Sequence, residues 1–146
     1  MNADRVTHQT LQRIPAFREL NESECRQLVE IAQEKSFAPG QKVLEQGKSS
    51  QYLWILVEGQ CEVVKDTPQH GPVVLAELEP YNLFGEMSFF SPAPHSANVV
   101  AKTAVRLLCI CRADYDDLIR DHCGAAYKLA YNIAVGLSSR LRRMDD

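Results

Sequence analysis

The residues best suited to bind a ligand lie in one short segment, which contains the pair Gly85-Glu86 and, after a Pro-flanked loop, His95-Ser96. A Gly-Glu turn that opens one helical turn presents backbone N–H groups, which can bind an anionic phosphate. An ionised glutamate only accepts hydrogen bonds, so Glu86 suits a sugar hydroxyl. A phosphate and a sugar bound by one segment predict a small nucleotide. The alternative is that Glu86 is a surface carboxylate capping the short helix.

Residues 83–101, LFGEMSFFSPAPHSANVVA, resemble the phosphate-binding cassette of cyclic-nucleotide-binding domains, as in bacterial catabolite-activator-type regulators and protein kinase A regulatory subunits. The family pattern is F-G-E-[LM]-[AS]-(L/F)2, a short loop, and then P-R-[SA]-A-x-V. The matching residues are Phe84, Gly85, Glu86, Met87, Ser88, Phe89, Phe90, Pro94, Ser96, Ala97 and Val99. The resemblance implies that Glu86 binds the ribose 2′-hydroxyl. It also implies that the phosphate is bound by the N–H groups of Gly85, Glu86 and Ser96 and by the Ser96 hydroxyl, with Phe84, Met87 and Ala97 as further ligand-binding positions.

The chain departs from the cassette pattern at His95, where the family has arginine. An arginine brings a fixed charge and binds phosphate oxygens in a bidentate manner, whereas a histidine is shorter and is charged only below a pKa of about 6.5. Three outcomes stay open. The site binds a cyclic nucleotide weakly or with pH dependence, it has been altered for another ligand such as a cyclic dinucleotide, or it is vestigial. If His95 contacts the phosphate, the affinity should increase as the pH falls from about 8 to about 6.

The middle of the chain, residues 36–111, consists of short β-rich runs separated by glycine and proline. Such spacing favours an antiparallel sandwich or barrel. The runs are 42–45, 51–58, 61–65, 73–78, 97–101 and 105–111, and residues 57–61 suggest a hairpin turn with Gly59 at positive φ. This region also resembles the jelly-roll signature of the same family, through Pro39, Gly40, Val43, Gly47, Leu53, Ile55, Gly59, Cys61 and Val63. We therefore expect an antiparallel β-roll of about eight strands with helices at both ends.

The N-terminal region, residues 1–35, is predicted to be helical. Asn21 and Glu24 have the spacing of a capping box, and Leu28, Ile31 and Ala32 follow at helical spacing, so this helix is predicted to run to about residue 35. A shorter helix is expected over residues 7–12.

Residues 112–146 are predicted to form two helices, the second from about 125 to 144. Its apolar positions recur every four residues at Leu129, Ile133, Leu137 and Leu141. Because members of the family often dimerise through this helix, the resemblance implies a possible homodimer. It also implies that Arg140 and Leu141 cover the base of a bound nucleotide. The alternative is that Arg140 belongs to a solvated helix end that complements the helix dipole.

Composition restricts the class of protein. With 146 residues, 45% of them hydrophobic, the chain suits a single domain over residues 1–146. Its net charge of −3 argues against DNA binding. We found neither a long apolar run nor a signal peptide, so we expect no membrane association and a cytoplasmic location. The five cysteines lack the spacing of a zinc site, and we expect no metal, no cofactor and no catalytic residue.

The sequence therefore predicts a non-enzymatic, cytoplasmic regulatory or sensor domain that binds cAMP or cGMP. The alternative is a degenerate fold that binds no mononucleotide and serves as a protein-interaction or dimerisation module, or one that binds a cyclic dinucleotide. Because no helix-turn-helix follows the last helix in this sequence, the output is expected to pass through an unknown effector protein or through dimerisation.

Overall fold

The computed structural model describes residues 8–145, which divide into two compact units. The sheet unit comprises residues 32–112, and the helical unit comprises residues 8–31 and 113–145. The helical unit contains α1 (His8–Leu11), a 3-10 turn (Pro15–Phe17), α2 (Glu22–Glu30), α4 (Arg112–Arg120, of which Arg112 belongs to the sheet unit) and α5 (Gly124–Asp145). The predicted short helix over 7–12 corresponds to α1, and residue 7 lies outside the described residues. A single domain over residues 1–146 stays a prediction.

The start of α2 confirms the predicted capping box. The Asn21 side-chain oxygen accepts a hydrogen bond from the Glu24 N–H at 2.8 Å, and the Glu24 carboxylate accepts one from the Asn21 N–H at 2.9 Å. These bonds satisfy two N–H groups that the helix itself leaves unpaired. The Glu24 carboxylate also pairs with the Lys128 ammonium of α5 at 2.9 Å, and the two interactions lower the pKa of Glu24.

The first half of α5 is held within the helical unit. Leu129 and Ile133 are buried, and the Asn132 amide donates hydrogen bonds to the Ala16 and Arg18 carbonyls at 3.0 and 2.9 Å. Further along, Leu141 is 62% exposed. The predicted apolar stripe is therefore buried only over its first half.

The prediction that the helix starting near residue 22 runs to residue 35 was wrong. It ends at Glu30, and Ala32–Phe37 forms strand β1, which pairs antiparallel with β8 (Val105–Cys111). The polar sequence AQEKSF gives no strand signal, but each residue of β1 pairs with one of β8, and Glu34 contacts the Arg106 guanidinium at 3.2 Å. Long-range pairing outweighs local propensity here.

The sheet unit confirms the predicted antiparallel β-roll. Its other strands are β2 (Lys42–Leu44), β3 (Tyr52–Glu58), β4 (Cys61–Thr67), β5 (Gly71–Leu78), β6 (Leu83–Phe84) and β7 (Asn98–Ala101), with the short helix α3 (Glu86–Phe90) after β6. They form two four-stranded antiparallel sheets with the orders β1-β8-β3-β6 and β2-β7-β4-β5. Buried side chains from both sheets form one apolar core, which includes Trp54, Leu56, Cys61 and Val99.

The predicted hairpin at residues 57–61 was also wrong. Strand β3 pairs with β6 and β8, and β4 pairs with β5 and β7, so the turn carries the chain from one sheet to the other. Gly59 does have the expected positive φ, at 91°. A Cβ there would lie 2.3 Å from the Ala104 carbonyl oxygen, so the turn accepts only glycine.

Three of the five cysteines are packed as small apolar side chains. Cys25, Cys61 and Cys109 are buried, and all five cysteines are free. Burial raises the pKa of the Cys61 thiol to about 11, which disfavours a thiolate. Within residues 8–145, no cluster of His, Cys, Asp or Glu side chains could hold a metal ion, and no helix is long and apolar enough to cross a membrane.

Candidate functional site

The first half of the cassette is a sharp turn that requires glycine. Strand β6 ends at Phe84, and Gly85 then adopts φ 83° before α3 begins at Glu86. A Cβ on Gly85 would lie 2.9 Å from the Tyr52 carbonyl oxygen and 3.1 Å from Cδ1 of Trp54. Only glycine reaches this conformation without strain and without a clash.

The turn determines where the neighbouring side chains lie. Glu86, at the start of α3, is 8% exposed, which is unusual for a carboxylate. Phe84 is buried and stacks on Trp54 with ring centroids 6.2 Å apart. Met87 is 70% exposed. The structure thus brings the predicted site residues Phe84, Gly85 and Glu86 together against β3, whereas Met87 is largely in solvent.

The C-terminal end of α3 is fixed by two side chains that the sequence analysis missed. The Arg112 guanidinium donates hydrogen bonds to the Phe89 and Phe90 carbonyls at 2.7 and 3.2 Å, and the Gln51 amide donates to the Phe89 carbonyl at 3.2 Å. The last carbonyls of a helix lack partners within the helix, so these bonds stabilise α3 in its place. No sequence signal identified either residue, because each is far from α3 along the chain.

His95 lies inside the second half of the cassette and is 8% exposed. Its Nε2 lies 2.9 Å from the Ser50 hydroxyl, and its Nδ1 lies 3.2 Å from the Ser88 hydroxyl. Because the Ser88 hydroxyl donates to the Ala93 carbonyl at 3.1 Å, the bonds fit a neutral imidazole that is protonated at Nδ1 and accepts from Ser50 at Nε2. Burial lowers the pKa of His95, which favours the same neutral form.

The backbone of His95 is held as well. Its N–H donates to the Lys48 carbonyl at 2.8 Å, and its carbonyl accepts from the Gly47 N–H at 2.9 Å. Contact between the imidazole and a phosphate would therefore require one of the two serine hydrogen bonds to break. That contact stays a prediction.

A lysine and an asparagine fix the chain that leaves the cassette. The Ser96 carbonyl accepts a hydrogen bond from the Lys65 ammonium of β4 at 3.2 Å. Two residues on, buried Asn98 donates to the Val64 carbonyl at 3.2 Å and to the Asp66 carboxylate at 3.0 Å, and it accepts from the Gln46 N–H at 2.8 Å. Neither Lys65 nor Asn98 was identified from the sequence. Ala97, a predicted ligand-binding position, lies between Ser96 and Asn98.

Arg140 and Leu141 lie on α5, in the helical unit, and both are exposed. The cassette belongs to the sheet unit. Contact of these two residues with a bound base therefore stays a prediction.

Trp54 carries a buried donor beside the Gly85 turn. Among the buried side-chain nitrogen and oxygen atoms of the described residues, only its Nε1 lacks a hydrogen-bond partner. A buried unpaired N–H destabilises a fold by about 1–3 kcal/mol. The adjacent ring carbon, Cδ1, is the atom that a Cβ on Gly85 would approach.

The two antiparallel sheets, with a glycine turn and a short helix between β6 and β7, define the class of fold as a double-sheet β-roll. The chain belongs to the cyclic nucleotide-binding domain family, whose sequence model matches residues 34–122. It is 31% identical over 131 residues to the cyclic AMP receptor protein of Thermus thermophilus. The aligned residues make up 90% of this chain and 59% of that protein. It is 30% identical over 105 residues to a cAMP-dependent protein kinase regulatory subunit of Yarrowia lipolytica, covering 72% of this chain and 27% of that subunit. The chain thus spans less than two thirds of the length of each relative.

A solved structure supports the same assignment. The N-terminal domain of a transcriptional regulator from Streptomyces coelicolor superimposes with a TM-score of 0.82 at 27% identity. The match covers 92% of this chain and 94% of that domain. The β-roll and its flanking helices therefore correspond to a known domain over nearly their whole extent.

Proposed function

We propose that this chain is a non-catalytic regulatory module whose sheet unit binds a cyclic nucleotide, cAMP or cGMP, at the cassette. The observation that carries the proposal is the turn at Gly85, which only glycine accepts and which leaves the Glu86 carboxylate at the buried start of α3. The names of the two relatives, a cyclic AMP receptor protein and a cAMP-dependent regulatory subunit, support cAMP as the first ligand to test.

In this proposal each half of the cassette binds a different part of the nucleotide. Glu86 accepts a hydrogen bond from the ribose 2′-hydroxyl. The N–H groups of Gly85, Glu86 and Ser96, together with the Ser96 hydroxyl, donate to the cyclic phosphate. Further contacts are assigned to Phe84, Met87, His95 and Ala97, and the base is covered by Arg140 and Leu141.

A second function is a β-roll that binds no mononucleotide and serves as a protein-interaction module, or that accepts a cyclic dinucleotide. His95 is the observation that favours this alternative. Where the family pattern has a charged arginine, this chain has an imidazole that is neutral and already hydrogen-bonded at both nitrogens. A cassette with less positive charge binds a single phosphate less tightly.

Calorimetric titration separates the two functions. Cyclic AMP, cyclic GMP and cyclic di-GMP are titrated into the whole chain, with 5′-AMP as the control that lacks the cyclic phosphate. The proposal expects saturable heat with cyclic AMP or cyclic GMP and weaker or no heat with 5′-AMP. The absence of heat with both cyclic mononucleotides up to millimolar concentration would contradict it, and heat with cyclic di-GMP alone would favour the alternative.

The output of the module is proposed to pass through α5, by homodimerisation or by contact with an effector protein. Tyr127, Tyr131 and Val135 are exposed and recur every four residues, which places them on one helix face. A second copy packed on this face would remove apolar surface from water. Sedimentation equilibrium should show that Tyr131→Glu dissociates the dimer and that the control Gln69→Glu leaves it unchanged. A parent that stays monomeric at high concentration would contradict the dimer.

The cytoplasmic location and the lack of DNA or membrane partners stay predictions.

A further inference from the structure

Where the family pattern has an arginine, His95 does not supply the same positive charge. An anion that enters a protein site is best stabilised by a charge-assisted hydrogen bond. The imidazole of His95 is buried, and its two nitrogens are bonded to the Ser50 and Ser88 hydroxyls. A cation that binds the phosphate would therefore have to be a residue other than His95.

Lys65 follows Cys61 and Val63 at two-residue spacing along β4. Side chains alternate between the two faces of a strand, so Lys65 shares its face of β4 with Cys61 and Val63. Cys61 belongs to the apolar core between the sheets, and Val63 packs against that core. The register of β4 against β7 is regular from Cys61 to Val64, whereas the pairing with β5 skips one residue of β5 between Val63 and Val64. The extra residue lies on β5, so the alternation along β4 is kept.

The ammonium of Lys65 is both close to the cassette and accessible. Its Nζ donates to the Ser96 carbonyl at 3.2 Å, and the side chain is exposed. An ammonium has three N–H donors, so one bond to a carbonyl leaves others for an anion. Ser96 is also the residue whose N–H and hydroxyl are assigned to the phosphate, so this cation lies beside the expected position of the anion.

The position of Lys65 relative to Ser96 is fixed by the buried Asn98. Through its three hydrogen bonds, Asn98 joins β7 to the Val64 carbonyl and the Asp66 carboxylate, the two neighbours of Lys65 on β4, and to the Gln46 N–H. Lys65 therefore extends from a part of the sheet that is cross-linked by side-chain hydrogen bonds.

We propose that the Lys65 ammonium is the phosphate-binding cation of this cassette and takes the role that arginine has in the family pattern. This inference rests on the proposed function, because it concerns the same site. On this account, the positive charge comes from Lys65 on strand β4. His95 instead stabilises the cassette loop after α3 through its buried hydrogen bonds to Ser50 and Ser88. When a cyclic nucleotide binds, the ammonium exchanges its bond to the Ser96 carbonyl for one to a phosphate oxygen, or makes both.

Lys48 is the matched control. It is also exposed, and its carbonyl accepts the His95 N–H, but its ammonium pairs with the Glu45 carboxylate at 3.4 Å. Replacement of Lys48 by methionine removes the same charge from the same neighbourhood without affecting the Ser96 contact.

The pH dependence of nucleotide affinity distinguishes phosphate binding by Lys65 from phosphate binding by His95. The charged and titratable groups near this contact include Asp66, which faces Asn98, and His95, which faces the two serines. They also include the Lys48–Glu45 pair beside the His95 backbone. A lysine ammonium and a cyclic phosphate both keep their charge from pH 6 to 8, so binding through Lys65 is expected to be independent of pH over that range. Binding through a protonated His95 would instead strengthen as the pH falls.

The experiment measures the affinity for cyclic AMP and cyclic GMP at pH 6, 7 and 8 for the parent, Lys65→Met, Lys65→Arg and Lys48→Met. The inference expects Lys65→Met to weaken binding on the order of tenfold to a hundredfold, as expected for the loss of one charge-assisted bond. Lys65→Arg is expected to keep affinity within about threefold, and Lys48→Met to match the parent. Thermal unfolding of each variant verifies that it is folded.

Two results would overturn the inference while the proposed function stands. One is a parent that binds nucleotide and a folded Lys65→Met variant that binds equally well. The other is an affinity that rises from pH 8 to pH 6 in the parent and not in His95→Gln. A parent that binds no cyclic nucleotide overturns the proposed function and this inference together.

Discussion

The two ends of the cassette are constructed in different ways. At the first end, Gly85 and Glu86 are placed by backbone sterics, because the turn accepts only glycine and the carboxylate follows at once. At the second end, His95 and Ser96 are placed by side chains from other strands and loops, among them Ser50 and Lys65. The difference indicates that the first end depends on the backbone conformation of one residue, whereas the second depends on side-chain hydrogen bonds from distant positions in the sequence.

The first end should be the more sensitive to change. Gly85→Ala forces a side chain into the left-handed region at a cost of about 1–3 kcal/mol in backbone strain, with a further cost from the contact with Tyr52. We expect lower thermal stability and at least a tenfold loss of affinity for cyclic AMP. The control is Gly136→Ala on α5, where a Cβ has no atom of another described segment within 4 Å. This control should be neutral or stabilise the fold by about 0.5–1 kcal/mol. If Gly85→Ala and Gly136→Ala changed thermal stability and affinity equally, the requirement for glycine at the Gly85 turn would be contradicted.

Glu86→Gln tests the chemistry of the first end without changing its shape. Loss of the charged acceptor should weaken nucleotide binding by about 1.5–3 kcal/mol, the usual range for a hydrogen bond to a charged group. The corresponding deoxyribose ligand, 2′-deoxy cyclic AMP, should bind the variant and the parent with similar affinity. Glu30→Gln, at an exposed position on α2, is the control and should bind like the parent. If Glu86→Gln discriminates against the deoxy ligand as strongly as the parent does, Glu86 does not contact the 2′-hydroxyl.

His95 should contribute to stability in a pH-dependent manner. Burial lowers its pKa in the folded protein below the ordinary value of 6.5, so the unfolded chain binds more protons between the two values. The free energy of unfolding therefore falls as the pH decreases through about 6.5, and it levels off below the folded-state pKa. His95→Gln cannot titrate, so the difference between parent and variant in urea unfolding from pH 5 to 8 isolates this contribution. A difference that does not change with pH, or that favours the parent at low pH, would contradict the buried neutral imidazole.

Ser50→Ala is expected to have the smallest effect. It removes the hydroxyl that donates to Nε2 of His95, at a cost of about 1 kcal/mol in stability. Because His95 is proposed to stabilise the loop and not to contact the phosphate, the affinity for nucleotide should change by less than threefold. The neighbouring Ser49→Ala, at an exposed position, is the matched control and should change neither quantity. A large loss of affinity in Ser50→Ala with unchanged stability would indicate that His95 binds the ligand directly.

The β-roll was predicted from the succession of short strands and turn glycines and from the family resemblance. The local details predicted correctly were those that short-range rules determine. The capping box of Asn21 and Glu24 spans a single helical turn, and positive φ at Gly59 follows from the residue type. Strand β1 was missed because its polar sequence becomes a strand only through pairing with β8, about seventy residues away. Lys65 could not be identified because its contact with Ser96 depends on the register of β4 against β7.

The central claim is that a cyclic nucleotide binds at the cassette in the sheet unit, and two-dimensional 1H–15N NMR tests it most directly. The chain has one tryptophan, so Trp54 gives the single indole N–H signal, and its ring lies against the Gly85 turn. During titration with cyclic AMP or cyclic GMP, the account predicts that this signal and the amide signals of Gly85 and Ser96 shift together, with one dissociation constant. Unchanged signals of Trp54, Gly85 and Ser96 at millimolar nucleotide, or saturable shifts confined to other residues, would contradict the account.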